Sequence, residues 1–299
     1  KSMGMEIRKR IKQEDGRRRK YMGNTDSRIR IGAVAWGLPG GGSYSVRTAH
    51  EAGLSGIQLE LGSFEAGYPL AQKTVMEGYL EDGERYGIEF PALVLNDLME
   101  HEFIHGNSTE NGKIAWEQME IGVETAAQMG IRRLMIPNFI HNLITCEEHI
   151  EHAREALSYA CRLGAEQGIT ILTENALDWK RQIELLDAVG ADNLKIHFDT
   201  QNFKFNFDMD QLSQLEGLYP YMDTILHVKD GTDAPGNRLL GEGNTDFFSQ
   251  MKYLKERGFE GWVITENYYN LLPLRNQAQS GGQMELLLRD VNTIQGCFA

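Results

Sequence analysis

Two distant stretches share one design. ILTENA (171–176) and VITENY (263–268) each run from apolar, β-branched residues into Thr-Glu-Asn. A carboxylate at such a point is either a solvated strand end or a group placed for acid–base or metal chemistry. Between the two stretches, LKIHFDT (194–200) leads to Asp199 and TILHVKD (224–230) carries His227. Glu174, Asp199, His227 and Glu266 thus end four successive apolar runs. Carboxylates crowded at one point repel, so their proximity needs a compensating positive charge. One divalent metal ion supplies it, and oxygen-rich ligation with a single imidazole suits Mn²⁺, Zn²⁺, Mg²⁺ or Co²⁺. Four protein ligands leave positions for a chelating substrate. The alternative is four unrelated polar strand ends.

Convergence requires elements that aim these ends at one place. Eight candidate strands follow residue 29: 29–36, 56–62, 88–96, 132–138, 169–175, 194–200, 224–230 and 262–267. Helix-period segments separate them, among them 45–53, 113–130, 146–168 and 245–258, each closing on glycine, a common helix stop. Eight strands alternating with helices predict a parallel sheet closed into a (β/α)8 TIM barrel, with catalytic groups at the C-terminal strand ends. A doubly wound open sheet is the alternative. It usually carries a Gly-rich phosphate turn after its first strand, whereas WGLPGGGSYS (36–45) lacks GxGxxG spacing and contains a proline. That stretch is read as a flexible loop at the barrel mouth.

ITILTEN, HFDTQN, ILHVKD, LLGEGNTDF and GFEGWVITEN together resemble the successive signatures of the sugar-phosphate isomerase/epimerase group, within the xylose isomerase-like barrel superfamily. The resemblance spans roughly 29–295 and is strongest from 169 onward. HVKD with GEG is similar to the L-ribulose/L-xylulose 5-phosphate 3-epimerase branch, and the Glu-Asp-His-Glu order resembles D-tagatose 3-epimerase. The resemblance implies that Glu174, Asp199, His227 and Glu266 ligate the metal and that Glu174 and Glu266 also serve as the catalytic acid/base pair. The implied reaction is proton transfer through a metal-stabilised enediolate of a sugar or sugar phosphate. The chain departs from the tagatose-epimerase pattern at Asn202, where that type has a histidine. An amide can bind a sugar hydroxyl but carries protons poorly.

Further candidates line the expected mouth. Glu60 ends the second strand and is a substrate-hydroxyl contact or an outward ion pair. Trp36 is an apolar wall for the sugar or a core cap, and Asn96 and Asn138 are polar contacts or turn formers. His141, in the loop after the fourth strand, is a base or hydroxyl contact, or a plain loop histidine. Lys229 shares a face with His227 and can bind substrate charge. Arg238 is a phosphate or hydroxyl contact, while Asp230 and Glu242 are read as organisers of their loop. His197 is read as a hydrogen-bonded core histidine, and His101 and His105 as a covering lid surface.

Composition bounds the rest. The 299 residues are 41% hydrophobic and 24% charged, enough to bury a core without staples. Three cysteines without CxxC spacing imply free thiols in a reducing, cytoplasmic setting. No apolar run approaches a membrane span, and the N-terminus lacks the apolar region of a signal peptide. Residues 1–30 hold eleven Lys or Arg against four Asp or Glu, so the overall −13 leaves about −20 on the remainder. That acidic body disfavours nucleic acid as a partner. Residues 1–28 are therefore assigned to a basic extension and 29–299 to one catalytic domain. The expected partner is a small-molecule sugar, with no nucleic acid and no membrane, and the resemblance implies a homo-oligomer. Competing readings are a lyase or dehydratase on a keto-sugar, cyclitol or 3-keto-glycoside with His141 as extra base, an abasic-site nuclease, and a catalytically silent sugar-binding protein.

Overall fold

Short apolar runs separated by amphipathic segments become strands that each hand over to a helix layer. The computed structural model describes residues 28–299, so the basic extension lies outside the described residues except for Arg28. The strands are β1 (Ile29–Val34), β2 (Gly56–Glu60), β3 (Leu93–Val94), β4 (Arg133–Pro137), β5 (Thr170–Glu174), β6 (Leu194–Asp199), β7 (Met222–Val228) and β8 (Gly261–Thr265). They pair in parallel, in chain order, and β8 returns to β1. The expected (β/α)8 barrel is what the chain forms. The helices around it are α1 (Tyr44–Glu51), α2 (Lys73–Tyr86), α3 (Glu110–Gln128), α4 (Glu147–Gln167), α5 (Trp179–Val189), α6 (Asn202–Phe207), α7 (Gln211–Leu218), α8 (Phe247–Glu256) and α9 (Gly282–Phe298). No helix among the described residues is long and apolar enough to cross a membrane.

The third strand is far shorter than the run 88–96 suggests. Pro91 has no N–H to give a ladder and holds its φ near the polyproline value. Only Leu93 and Val94 pair on both sides. The preceding residues still accept from β2, through Ile57 N to Glu89 O at 2.9 Å and Leu59 N to Ala92 O at 3.1 Å. The remaining strands stop one or two residues before their apolar runs do. Trp36, expected at the end of β1, sits in the 3-10 turn Ala35–Gly37.

Strand alternation divides the side chains into two sets. One set packs outward beneath the helices, with Ile57, Leu93, Leu134, Ile136, Ile171, Phe198, Leu226 and Val263 all buried there. The other faces the barrel axis: Val34, Ala92, Val94, Met135, Leu172, Ile225, Trp262 and Ile264. Two inward positions are glycines for steric reasons. A Cβ on Gly56 would lie 2.7 Å from the Trp262 ring, and one on Gly32 would lie 2.7 Å from Ile264 Cδ1. Arg30 caps the indole, its guanidinium carbon 4.0 Å from the ring centroid.

Between β6 and β7 the register slips. Ile196 pairs with Met222, yet Phe198 pairs with Leu226. The slip of two residues preserves which side chains face inward, and it brings Asp199 level with His227. Replacing Trp262 with Ala should lower unfolding free energy by about 3–5 kcal/mol, the usual cost of emptying a packed Trp site. Urea denaturation checks this, and a loss under about 1 kcal/mol would show that the indole does not hold the barrel interior.

Candidate metal centre

The inward parity of each strand continues to its C-terminal end. Leu172 leads to Glu174, Ile225 to His227 and then Lys229, and Ile264 to Glu266, which follows the last residue of β8. On β6, His197 precedes Asp199 in the same way. One ligand atom from each of Glu174, Asp199, His227 and Glu266 lies within 4.8 Å of all the others. All four side chains are buried, Glu266 being the most accessible at 8%. His227 Nδ1 is 3.2 Å from Glu266 Oε2 and 3.7 Å from Glu174 Oε1.

Each group is held from outside the cluster. Asp199 Oδ1 accepts the backbone N–H of Gln201 and of Asn202, both at 2.8 Å. Asn202 Nδ2 donates to Glu174 Oε1 at 3.0 Å, so this amide orients a carboxylate. Lys229 pairs within the cluster: its buried Nζ is 2.6 Å from Glu266 Oε2 and 3.4 Å from Asp199 Oδ2. His227 Nε2 is hydrogen-bonded to Gln58 Oε1 at 2.9 Å.

Burial pushes Glu174 up to about 8, with His227 and Lys229 only partly opposing it. Burial acts the same way on Glu266, but there Lys229 and His227 outweigh it and hold the carboxyl well below the usual range. Burial raises Asp199 against the pull of Lys229. Lys229 itself is pulled up, because Asp199 and Glu266 overcome the burial that would lower it.

Two buried atoms of the cluster have no hydrogen-bond partner, His227 Nδ1 and Asp199 Oδ2. Native proteins seldom leave such atoms without a hydrogen bond, and Asp199 Oδ2 has only the 3.4 Å ion pair with Lys229. Here each belongs to a donor set of three carboxylates and one imidazole, the chemistry a divalent cation requires. The residues therefore fit such an ion, with a second carboxylate oxygen or imidazole nitrogen free to be tied down by the surroundings.

The remaining sequence candidates separate. Glu60 shares its strand face with Gln58 and accepts from Asn96 Nδ2 at 3.1 Å, so these two meet each other at the mouth. Trp36, half-buried, packs on the interior apolar cluster and places its ring edge-on to His227, centroids 6.4 Å apart. Asn138 is buried in its loop, donating to Asn142 O at 3.4 Å. His141 is not brought to the carboxylates. Its ring is 65% exposed and its nearest charged partner is Glu100 at 3.9 Å, because Ile140 takes a left-handed turn (φ 57°) just before it. Arg238 turns back on its own loop, giving Nη1 to Asn237 O at 3.0 Å.

Two expectations need correction, those for His197 and Glu242. His197 is buried, but both ring nitrogens lack hydrogen bonds; it packs edge-on to His227 at 4.2 Å instead. His101 is tied to Asp97 (Nδ1 to Oδ2, 2.9 Å) and Glu65 (3.4 Å), and His105 stacks edge-on to His149. The loop after β7 is organised by Asp230 and not by Glu242. Asp230 accepts from Gly231 N, Gly241 N, Gly243 N and Thr245 Oγ1 at 2.9–3.0 Å, whereas Glu242 makes a surface pair with Arg289.

The asparagines of the twin Thr-Glu-Asn motifs are scaffold. Asn175 Oδ1 accepts from Leu177 N, forming a local turn. Asn267 accepts from Asp230 N at 3.1 Å and donates to Asp290 Oδ2 at 2.6 Å. The sequence signal for Asn267 was the repeat itself. Gln58 and Asp290 carried none, since the partners of each lie on distant elements.

A family described as xylose isomerase-like TIM barrel matches residues 46–287. The chain belongs to the xylose isomerase-like TIM barrel family. A 2-epi-5-epi-valiolone 7-phosphate 2-epimerase from Actinoplanes sp. is 27% identical over 219 residues, 72% of this chain and 77% of that protein. Among solved structures, an L-ribulose 3-epimerase superposes with a TM-score of 0.70 at 16% identity, covering 90% of this chain and 94% of that one. A xylose isomerase-like TIM barrel protein from Mycobacterium smegmatis in complex with magnesium gives 0.64 at 14%, covering 90% and 96%. At those identities the structural likeness is one of fold.

Glu174 has a pH consequence. Its folded value of about 8 lies above the ordinary 4.5, so the native state holds the proton more tightly than the unfolded chain. The stability this contributes is complete at low pH and is lost as pH rises through that interval. In chelator, the stability of the natural protein minus that of Glu174→Gln should fall from pH 5 towards 8. Thermal unfolding of the pair measures it, and a constant difference would contradict the assignment.

Proposed function

We propose that the protein is a divalent-metal-dependent epimerase or isomerase of ketose-type substrates, free or phosphorylated. The observation that carries this is a single buried cluster holding four metal-type ligands, two of them glutamates set in opposite electrostatic surroundings. Glu174, Asp199, His227 and Glu266 would hold the ion. When bound, it would act as a Lewis acid, polarising a ketone carbonyl and acidifying the neighbouring C–H.

The chain's own residues do the rest. Lys229 and His227 hold Glu266 as a carboxylate, ready to take a proton from the carbon beside the carbonyl. Burial favours the protonated form of Glu174, ready to return a proton to the opposite face of the enediolate. Reversal of those roles runs the reaction backwards, as an epimerase requires. Asn202 keeps Glu174 aimed, and Trp36 with the apolar interior keeps bulk water from the reacting carbon.

The substrate class rests on family membership and on the Actinoplanes relative, which is named for epimerising a phosphorylated valiolone. A carbocyclic ketone therefore stands beside open-chain ketoses as a substrate type. The lyase reading called on His141 as an additional base, and nothing in its exposed position favours that role. A dedicated basic phosphate cradle is not assigned.

In deuterated water, the metal-loaded protein should place one solvent deuterium on the carbon next to the carbonyl of an otherwise intact ketose, ketose phosphate or cyclic keto-phosphate. Glu174→Gln and Glu266→Gln should each cut turnover by about 10²–10⁴-fold, the usual weight of a positioned acid or base. Loss of water or of an aglycone would replace the epimerase by a lyase. Ligand binding without exchange would leave a binding protein.

A further inference from the structure

We propose that Gln58 is a positioning residue that fixes the tautomer of His227 and so sets the affinity of the centre for its cation. This rests on the metal site of the proposed function and adds to it a residue from the opposite side of the barrel. Gln58 lies on β2, fully buried, level with the inward-facing Val34 of β1 and beside the apolar interior cluster. Burying a carboxamide among such groups costs free energy unless its polar atoms are partnered. Its Oε1 is 2.9 Å from His227 Nε2, across 169 residues of sequence.

The direction of that bond follows from the other end of the amide. Gln58 Nε2 donates to Met135 Sδ at 3.3 Å. A thioether accepts weakly and has nothing to donate. Turned over, the amide would set its oxygen against sulfur with no donor and force His227 Nε2 to accept. As it stands, Gln58 Oε1 must receive the Nε2 proton, so the neutral form of the imidazole, the form that binds a cation, carries its lone pair on Nδ1. That nitrogen has no hydrogen bond, although carboxylate oxygens stand at 3.2 and 3.7 Å. It points between them into the cluster, as a ligand would.

Trp36 and His197 meet the same ring edge-on, at 6.4 and 4.2 Å between centroids. They limit its tilt, but neither contributes a hydrogen bond to it. The proton position is therefore set by Gln58. A neutral acceptor also differs from the carboxylate often found behind metal-bound histidines, because it adds no charge to a site that already holds three carboxylates.

The test compares Gln58→Met, which keeps the side-chain volume without an acceptor, with Gln58→Glu, which restores one. Mn²⁺ affinity is measured by calorimetry on each folded protein. Gln58→Met should bind Mn²⁺ about 10–100-fold more weakly than the natural chain, the usual cost of removing such a partner, and Gln58→Glu should recover most of the loss. Unchanged affinity in Gln58→Met overturns the inference. A second measurement needs neither metal nor a variant at 58. Nitrogen-15 spectra of the metal-free natural protein, at a pH that leaves His227 neutral and assigned with His227→Gln, should show the proton on Nε2. A proton on Nδ1 overturns the inference as well. Failure of the natural chain to bind any divalent cation would sink the proposed function instead, and the tautomer measurement would still decide the role of Gln58.

Discussion

Three carboxylates forced together away from water are the constraint around which the rest is arranged. Glu174, Asp199 and Glu266 are each at least nine-tenths buried, and like charges at such separations cannot all persist without compensation. The protein supplies part of it through Lys229 and His227, unevenly. Lys229 touches Glu266 and Asp199 but not Glu174. The two glutamates consequently differ in charge preference while facing the same space. A pair of carboxyls pushed apart in this way is the standard arrangement for one proton donor and one acceptor at neutral pH.

Holding such a cluster requires rigidity just outside it. Asp230 gathers the glycine-rich loop after β7 with four hydrogen bonds, and Asn267 links Asp230 to Asp290 on α9. Asp290 also accepts from Tyr269 Oη and from Leu240 N. The last helix of the chain is thereby connected to the loop that follows His227. The slip between β6 and β7 serves the same end in the backbone, since an unbroken register would leave Asp199 two residues away from its present neighbour.

The barrel and its four convergent strand ends were legible because both arise from local rules. Apolar runs of strand length alternate with helical periods, and side chains at even spacing share a face. The third strand was overdrawn because the apolar pattern outweighed Pro91, whose missing N–H limits pairing. The contacts that Lys229 and Asn202 make with the cluster are not legible in the sequence, for a different reason. Their residue types fit substrate contacts, but their actual partners are carboxylates on neighbouring strands, a matter of distance that spacing along the chain does not carry. Gln58 was invisible for the same cause at longer range, its partner lying across the barrel. His141 looked available because its loop follows a strand end, and only the left-handed turn at Ile140 sends it outward.

The central claim is that four side chains from adjacent strands grip one cation. Crystals of the full chain soaked in Mn²⁺, with data collected at the manganese absorption edge, test it most directly. The account predicts a single strong anomalous peak within bonding distance of Glu174, Asp199, His227 Nδ1 and Glu266. No peak there, or one that excludes two or more of these residues, would contradict it.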